Sequence, residues 1–229
     1  MRGNTITDVF FDLDHTLWDF DKNSALAFER ILGHSHPSVE LNAFIEAYIP
    51  INQSCWKLFQ YNKISHDELR YNRLKYSFDA LNYSISDQEI DRISEQYIEI
   101  LPENNHLFDG TFEILDYLKS KYKLHIITNG FAEVQYKKMH NAQLTAYFTT
   151  ITNSEMAGVK KPNPVIFEYA LNLAKAKKET SIMIGDSLDA DVQGALDIGL
   201  DAIYFNETIS ENSAHFKQIT HLLELKQYL

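Results

Sequence analysis

The sequence predicts an α/β protein in which a parallel sheet carries an inserted helical domain. A β-branched and aromatic run near the N-terminus has the length and character of a buried strand. The next stretch shows only helical periodicity, and the rest of the chain alternates short apolar runs with helical stretches. Such alternation is typical of βαβ units, whose strands are parallel. We therefore assign residues 1–16 and 105–229 to the α/β core and residues 17–104 to the helical domain.

The first strand is predicted at about Ile6 to Asp12 from its β-branched and aromatic content. It leads into "VFFDLDHTLWDF", in which Asp12 and Asp14 stand one residue apart. Two like charges this close resist burial unless a cation, hydrogen-bond donors or a shared proton compensates them. Taken alone, the pair is also compatible with a solvated turn at the end of the strand.

The inserted stretch is predicted to consist of helices. "SHDELRYNRLKYSFDALNY" opens with a capping box, in which Ser65 and Glu68 satisfy each other's backbone N–H groups. "SDQEIDRISEQYIEIL" begins in the same way, with Ser86 and Glu89 in the reciprocal positions. Pro102 then predicts a break, since proline cannot continue a helix interior.

Four further strands are predicted after this break. They correspond to the apolar runs "KLHIITN", "YFTTITN", "SIMIGDS" and "DAIYFN". Helical stretches such as "TFEILDYLKSKY" and "NPVIFEYALNLAKA" separate them. In an open sheet of this kind, ligands bind beyond the carboxyl ends of the strands.

The composition excludes several functional classes. A formal net charge of -11 and a pI near 5.2 argue against partners that need a basic surface, namely nucleic acid polymers and anionic membranes. The N-terminal apolar stretch is short and interrupted by aspartates, which fits neither a signal peptide nor a membrane span. Cys55 is the only cysteine, so an intramolecular disulfide is impossible. We expect a cytoplasmic protein that is a monomer or a weak homodimer.

Polar residues follow three of the predicted strands at their carboxyl ends. The residues at these strand ends and in the nearby loops are Asp12, Asp14, Thr128, Asn129, Gly130, Lys160, Lys161, Asp186, Ser187 and Asp191. Several carboxylates meeting at one edge, without histidine or cysteine, form a site that favours Mg²⁺. A lysine and a threonine hydroxyl beside them would complement the negative charge of a phosphoryl group.

These residues occur in four motifs whose order resembles that of the haloacid dehalogenase-like (HAD) phosphatases. "DLDHT" is similar to the first motif, "ITNG" to the second, the lysine of "KKPNPVIF" to the third and "GDSLDAD" to the fourth. The helical insert resembles the cap that this family places between its first two motifs. The resemblance implies a Rossmann-like core with a helical cap, an aspartyl-phosphate intermediate and Mg²⁺ as cofactor.

The resemblance also implies roles for three residues of the first and third motifs, Asp12, Asp14 and Lys161. Asp12 would be the nucleophile and a metal ligand. Asp14 would be the general acid and base, and its backbone carbonyl would bind the metal. Side chains two apart on a strand share a face, so both carboxylates can reach one phosphate. Lys161, which adjoins Pro162, is assigned to the third motif, although Lys160 stands beside it.

Among the remaining motif residues, Thr128, Asn129 and Gly130 would bind the phosphoryl oxygens of the substrate. The glycine would allow a close approach of the backbone. Asp186 would bind Mg²⁺ directly, whereas Asp191 would act through water or by orienting the other ligands.

Several other activities are compatible with parts of this pattern. Dehalogenases of the same family do not need the second aspartate, which is present here, and phosphonatases need a lysine in the cap. The candidates for that lysine are Lys22, Lys57, Lys63 and Lys75, and the sequence distinguishes none of them. A phosphomutase uses the same four motifs. A receiver-like signalling module has a similar site but is much smaller, so the helical insert argues against it.

Within the phosphatases, "DVFFDLDHTLWDFDKNS" and "ITNGFAEVQ" resemble a subgroup of bacterial pyrimidine 5′-nucleotidases. This resemblance implies a nucleoside monophosphate as substrate, with sugar phosphates or phosphoglycolate as the alternative. A flat base can be held by aromatic stacking without a basic groove. The candidate stacking residues are Trp18, Phe20, Trp56 and Tyr61.

Overall fold

The computed structural model describes residues 5–209 and 216–229, and the chain forms two compact units. One unit comprises Met1–Asp19 and His106–Leu229, and the other comprises Phe20–Asn105. The first unit contains the sheet and the second is helical. No helix in the described part of the chain is both long enough and apolar enough to cross a membrane.

The sheet has six strands in the order β3-β2-β1-β4-β5-β6, and every neighbouring pair is parallel. Its strands are β1 (Asp8–Phe11), β2 (Lys123–Thr128), β3 (Thr150–Asn153), β4 (Ser181–Gly185), β5 (Asp201–Phe205) and β6 (Lys217–Ile219). The predicted α/β class is therefore confirmed, as are the five predicted strands. The first of these is shorter than the predicted Ile6 to Asp12, and β6 has no counterpart among the predicted strands.

The helical unit contains α1 (Phe20–Ser35), α2 (Leu41–Gln60), α3 (His66–Ala80) and α4 (Asp87–Ile100), followed by a 3₁₀ turn at Leu101–Glu103. The helices of the sheet unit are α5 (Thr111–Lys119), α6 (Ala132–Asn141), α7 (Ser154–Ala157), α8 (Pro164–Ala174) and α9 (Gly194–Asp197). A π-helical turn, Leu188–Gln193, precedes α9, and 3₁₀ turns occur at Thr145–Tyr147, Lys178–Thr180 and Leu222–Gln227.

The capping box predicted for α3 is present. The Ser65 hydroxyl accepts a hydrogen bond from the Glu68 N–H at 3.2 Å, and the Glu68 carboxylate accepts one from the Ser65 N–H at 2.7 Å. At α4 the Ser86 hydroxyl likewise accepts from the Glu89 N–H. The Glu89 carboxylate, however, accepts hydrogen bonds from the side chains of His36 and Arg92. The prediction for α4 is thus right for Ser86 and wrong for Glu89, because His36 of α1's C-terminal flank and Arg92 of α4 itself engage its carboxylate.

The centre of the sheet is buried on both faces, as expected for parallel strands covered by helices. Every residue of β1 and β4 is buried. On one face, Phe10 of β1 and Met183 of β4 share a core with Ile166, Phe167 and Ala170 of α8. Burial of these apolar side chains fixes which residues of each strand point toward the helices.

The register of the central strands brings their carboxyl ends to the same height. Phe11 of β1 lies opposite Ile126 of β2 and Ile184 of β4. The N–H of Asp12 donates to the carbonyl of Ile184 at 2.9 Å, which extends the ladder by one residue. Residues that directly follow these strands therefore meet at one edge of the sheet.

The helical unit has a core of aromatic side chains. The ring of Phe28 on α1 stacks on that of Tyr97 with 4.6 Å between centroids. It makes edge contacts with Phe44 at 4.9 Å and Tyr48 at 4.6 Å, and all four residues are buried. One side chain of α1 thus connects α2 and α4.

We predict that Phe28→Ala destabilises the helical unit strongly. Removing a buried ring in contact with three others loses transfer free energy and leaves a cavity, which costs about 3–5 kcal/mol. Urea denaturation followed by circular dichroism measures the loss.

The matched control is Tyr76→Ala in α3, because the side chain of Tyr76 is 49% exposed. This substitution should change the free energy of unfolding by less than about 1 kcal/mol. Equal losses for the two variants would contradict the central role of Phe28.

Candidate active site

The site is built at the carboxyl ends of β1, β2 and β4. Asp12 follows β1, Thr128 ends β2, and Asp186 follows β4. After Asp12 the chain turns sharply: the N–H groups of Leu17 and Trp18 both donate to the carbonyl of Leu13 at 2.9 Å. This turn keeps Asp14 at the same edge of the sheet.

Lys161 is the centre of the site. Its ammonium group donates to Asp12 Oδ1 at 2.6 Å, Asp191 Oδ1 at 2.6 Å and the carbonyl of Ile127 at 2.7 Å. The residue is only 2% exposed, and an ammonium group has three hydrogens to donate. All of its donors are used within the protein. Lys161, the lysine assigned to the third motif, therefore reaches two carboxylates.

The side chain of Asn129 holds the backbone of Lys161 in place. Asn129 Oδ1 accepts from the Lys161 N–H at 2.7 Å, and Asn129 Nδ2 donates to the Lys161 carbonyl at 3.0 Å. Both ends of this amide are therefore engaged by the protein. The amide of Asn129 therefore positions the lysine, and the predicted contact of Asn129 with phosphoryl oxygens stays a prediction.

Three carboxylates form a cluster around this lysine. Asp12, Asp186 and Asp191 each offer an oxygen, and these atoms lie within 4.8 Å of one another. Asp12 and Asp191 are buried, while Asp186 is partly buried. Gly185 is required here, since a Cβ at that position would lie 2.3 Å from Asp191 Oδ2.

The electrostatics of the cluster show an excess of negative charge. Burial, reinforced by the charges of Asp191 and Asp186, raises the pKa of Asp12 well above its ordinary value despite the opposing effect of Lys161. Burial and the charge of Asp191 raise the pKa of Asp186 to about 8. Burial would lower the pKa of Lys161, but the carboxylates of Asp12 and Asp191 outweigh it and raise that pKa. A divalent cation would relieve the remaining repulsion, and an all-oxygen donor set suits Mg²⁺.

Two residues orient the carboxylates of the cluster. The hydroxyl of Thr16 donates to Asp186 Oδ1 at 3.2 Å, and Thr16 is fully buried. Asp191 Oδ2 accepts from the N–H of Ser187 at 3.0 Å, while its other oxygen accepts from Lys161. Both oxygens of Asp191 are thus engaged, which suits a residue that positions the other groups.

The carboxylate of Asp14 is held by residues of α6, apart from the cluster around Lys161. Its Oδ1 accepts from Lys138 Nζ at 2.6 Å, and its Oδ2 accepts from Gln135 Nε2 at 2.8 Å. Gln135 and Lys138 are three residues apart, so they share a face of the helix, and both are buried. Lys138 Nζ also lies 4.2 Å from the centre of the Trp18 ring. The two aspartates of the first motif therefore have different partners.

The hydroxyl of Thr128 at the end of β2 joins the contacts made by α6. Its hydroxyl oxygen accepts from Gln135 Nε2 at 2.8 Å and from the Gly130 N–H at 3.1 Å. With both lone pairs engaged, its hydroxyl hydrogen can be donated to a ligand oxygen. Gly130 is needed for the approach of Gln135, because a Cβ there would lie 2.4 Å from the glutamine amide.

Three residues of the site are not predicted from the sequence: Thr16, Gln135 and Lys138. A weak signal in the sequence does point to Gln135 and Lys138. Val134 and Met139 mark the buried face of α6, and both polar residues fall on the same side. A lysine on the apolar face of a helix indicates a buried partner of opposite charge.

The four aromatic residues predicted to stack on a base are divided between the units. Trp18 belongs to the unit that contains the site, and it is fully buried. Phe20, Trp56 and Tyr61 belong to the helical unit, where Phe20 is buried and Tyr61 is 45% exposed.

Comparisons with known proteins agree with this architecture. Residues 9–205 match the family model of the haloacid dehalogenase-like hydrolases. The chain is 33% identical to pyrimidine 5′-nucleotidase PynA of Streptococcus pneumoniae over 211 residues, covering 89% of this chain and 85% of that one. It is 29% identical to pyrimidine 5′-nucleotidase YjjG of Escherichia coli, covering 96% of each.

Among solved structures, the chain is similar to HAD-hydrolase YfnB of Bacillus subtilis bound to magnesium. The TM-score is 0.88 at 30% identity, and the match covers 99% of each chain. The family match covers most of the sequence, and the parallel sheet has a lysine and carboxylates at its carboxyl edge. The chain therefore belongs to the haloacid dehalogenase-like hydrolase family and is an enzyme.

Proposed function

We propose that the protein is a Mg²⁺-dependent phosphomonoesterase that acts through an aspartyl-phosphate intermediate on pyrimidine nucleoside 5′-monophosphates. The observation that carries the proposal is the different environment of its two neighbouring aspartates. Asp12 belongs to the cluster around Lys161, whereas Asp14 is held by Lys138 and Gln135. Two carboxyl groups kept apart in this way suit two different catalytic roles.

Asp12 is the nucleophile in this mechanism. Its carboxylate attacks phosphorus, the bond from phosphorus to the ester oxygen breaks, and the phosphoryl group is transferred to Asp12. Lys161 orients this carboxylate at 2.6 Å and offsets the charge that develops nearby. The hydroxyl of Thr128 and backbone N–H groups beside it hold the phosphoryl oxygens.

Asp14 is the general acid and base. As the ester bond breaks it gives a proton to the leaving oxygen, and it later takes one from the water that hydrolyses the acyl phosphate. Lys138 and Gln135 hold its two oxygens, which restricts the rotation of the side chain. Preorganisation of this kind removes an entropic cost from the reaction.

The residues that would hold Mg²⁺ are Asp12, Asp186 and the backbone carbonyl of Asp14, with Asp191 orienting them. The three clustered carboxylates against one ammonium group support this assignment. When bound, the ion supplies positive charge that offsets the negative charge of the phosphoryl group.

Pyrimidine nucleotides are proposed as substrates on the strength of the similarity to PynA and YjjG. The acidic composition of the chain is compatible with them, because a single phosphate needs only a local cationic site. The alternative substrates are sugar phosphates and phosphoglycolate.

A panel of phosphate esters tests the proposed substrate class. We expect kcat/KM to be higher for dUMP or dTMP than for sugar phosphates, phosphoglycolate or purine nucleotides. Steady-state assays with Mg²⁺ on roughly thirty esters measure it, because specificity is a ratio of kcat/KM values. The control Asp12→Asn should keep the circular dichroism spectrum of the wild type and lose all turnover.

A hexose phosphate leading the panel by about tenfold would refute the nucleotidase assignment and leave the phosphatase assignment standing. Substantial turnover by Asp12→Asn would refute the mechanism itself.

We predict that Asp186→Asn stabilises the metal-free protein relative to the wild type, and that this gain in free energy of unfolding increases as the pH rises. Because its pKa is about 8 in the folded protein and near 3.8 when unfolded, the folded state retains a proton that the unfolded state loses. The free energy of unfolding of the wild type should therefore fall as the pH rises from about 4 to about 8, with less of a fall in the variant. Thermal unfolding in excess chelator between pH 5 and pH 8.5 measures the difference.

The matched control is Asp189→Asn, which removes a nearby exposed carboxylate. Saturating Mg²⁺ should raise the Tm of the wild type and of this control, but raise that of Asp186→Asn much less. Equal Mg²⁺ responses in all three proteins would count against Asp186 as a ligand.

We predict that Lys138→Met impairs the proton transfer assigned to Asp14. Without the ammonium group, the carboxylate loses one of its two partners and its fixed orientation. The kcat/KM for a nucleoside monophosphate, which reports the steps up to departure of the leaving oxygen, should fall by about tenfold to 100-fold, because that oxygen must be protonated. The kcat/KM for p-nitrophenyl phosphate should fall much less, because nitrophenolate leaves without a proton.

Lys137→Met is the control, since the side chain of Lys137 is 45% exposed and pairs with Glu133. It should behave as the wild type does with both esters, and Lys138→Arg should recover part of the lost rate. If Lys138→Met lowered kcat/KM equally for both esters, the lysine would have only a structural role.

A further inference from the structure

The amide of Gln135 makes two hydrogen bonds with its nitrogen and none with its oxygen. Its Nε2 donates to Asp14 Oδ2 and to Thr128 Oγ1, each at 2.8 Å. Its Oε1 is buried and has no hydrogen-bond partner among the described residues. A buried acceptor without a partner costs folding free energy, so the contacts of the nitrogen must favour this orientation of the amide.

The carboxylate of Asp14 determines which end of this amide faces the site. An amide group keeps nearly the same shape when its oxygen and nitrogen exchange places, so packing alone does not choose between the two orientations. In the reversed orientation Gln135 Oε1 would face Asp14 Oδ2, and two acceptor oxygens would meet. Lys138 Nζ, 2.6 Å from Asp14 Oδ1, holds the carboxylate in place. The fixed carboxylate therefore selects the orientation in which Gln135 is a donor.

The orientation of Gln135 in turn determines what the Thr128 hydroxyl can do. Its oxygen accepts from Gln135 Nε2 and from the Gly130 N–H, so both lone pairs are used. The hydroxyl hydrogen must then point away from both partners, and the hydroxyl can act only as a donor toward a ligand. With the amide reversed, Thr128 would donate to Gln135 Oε1 and would keep no hydrogen for a ligand.

The surroundings of Gln135 keep solvent from replacing its amide. Gln135 and Thr128 are each 1% exposed. A Cβ at position 130 would lie 2.4 Å from the amide, so the amide lies directly against the backbone of the loop. The hydrogen bond between Gln135 and Thr128 thus joins two buried side chains, and removal of the amide leaves the direction of the hydroxyl undetermined.

We infer that Gln135 is a positioning residue that makes the Thr128 hydroxyl an obligate donor to the phosphoryl oxygens. The relay runs from the Asp14 carboxylate through the Gln135 amide to the Thr128 hydroxyl. Phosphoryl oxygens of an ionised ester are acceptors, and a donor already directed at them needs no reorientation in the transition state. This role rests on the proposed phosphatase function but not on the choice of substrate.

The relay and a simple support for Asp14 predict different dependences on the leaving group. If Gln135 served Asp14 alone, its loss would matter only where the leaving oxygen needs a proton. If it also orients Thr128, its loss lowers kcat/KM for p-nitrophenyl phosphate as well, because every ester presents the same phosphoryl oxygens. Lys138→Met is the comparison, since Lys138 donates to the same carboxylate.

The test is a double-mutant cycle of Gln135→Met and Thr128→Val, assayed with p-nitrophenyl phosphate and Mg²⁺. Each replacement has a similar size and lacks the hydrogen-bonding group. We expect Gln135→Met to lower kcat/KM by about tenfold or more, and Thr128→Val by at least as much. The double variant should lie within about threefold of Thr128→Val, because the amide then has no hydroxyl to orient. Lys138→Met should lose less than Gln135→Met on this ester.

Two further variants control for the packing of α6. Lys137→Met changes an exposed side chain of the same helix and should match the wild type. Gln135→Asn keeps an amide that is too short to reach Thr128, so it should behave as Gln135→Met does. Thermal unfolding shows that each variant is folded. Additive losses in the cycle, or a loss in Gln135→Met no larger than that in Lys138→Met, would overturn the inference.

Calorimetric titration of inorganic phosphate in the presence of Mg²⁺ separates this inference from the proposed function. Gln135→Met and Thr128→Val should each weaken phosphate binding by about tenfold, without a further loss in the double variant. If the wild type binds phosphate with this pattern but hydrolyses none of the esters, the proposed function fails and the relay stands. If the wild type hydrolyses the esters and the losses are additive in both experiments, the relay fails and the function stands.

Discussion

The contact of the Lys161 ammonium group with Asp12 and Asp191 is the interaction on which the site depends. Three carboxylates near one another at the edge of a buried sheet would repel strongly, and this ammonium group, 2.6 Å from two of them, offsets that repulsion. Its position depends in turn on Asn129, which binds the backbone of Lys161, and on the carbonyl of Ile127 in β2. The ends of β1 and β2 and the turn after β4 are thereby joined through one side chain, so the register of the sheet determines the geometry of the site.

The same loop places Asp14 in a different environment only two residues from Asp12. Lys138 and Gln135 come from α6, which follows β2 directly, so the helix that Thr128 and Gly130 lead into also supplies the partners of Asp14. Gln135 bonds to both Asp14 and Thr128, which couples the proposed acid–base group to the proposed phosphoryl-binding hydroxyl. A change in the position of α6 would therefore alter two functions at once, whereas the cluster around Lys161 would be less affected.

Much of this arrangement could be predicted from the sequence, for reasons that are local. Continuous apolar runs predicted five strands, because strands buried on both faces need such runs, and the residues directly after them had to meet at one edge. The three-residue strand β6, "KQI", has no apolar pattern and could not be recognised. Thr16, Gln135 and Lys138 were missed because their roles arise only from tertiary contacts. Lys161 is assigned to the third motif because it adjoins Pro162, but only the fold shows which carboxylates its ammonium group contacts.

Both units bury a charge that their own residues do not balance, and the two imbalances have opposite signs. In the sheet unit, Asp12, Asp186 and Asp191 face one ammonium group, and the raised pKa of Asp186 records the excess of negative charge. In the helical unit, Arg73 lies among hydroxyls and an amide that cannot offset its charge. Ordinary cores avoid such imbalances, because each costs folding free energy. A divalent cation would offset the first of these imbalances, so the proposed Mg²⁺ site would recover folding free energy when it is occupied. Among the described residues, Arg73 is offered only the amide of Asn52 and the ring of Tyr97, so its imbalance remains a cost to the stability of the helical unit.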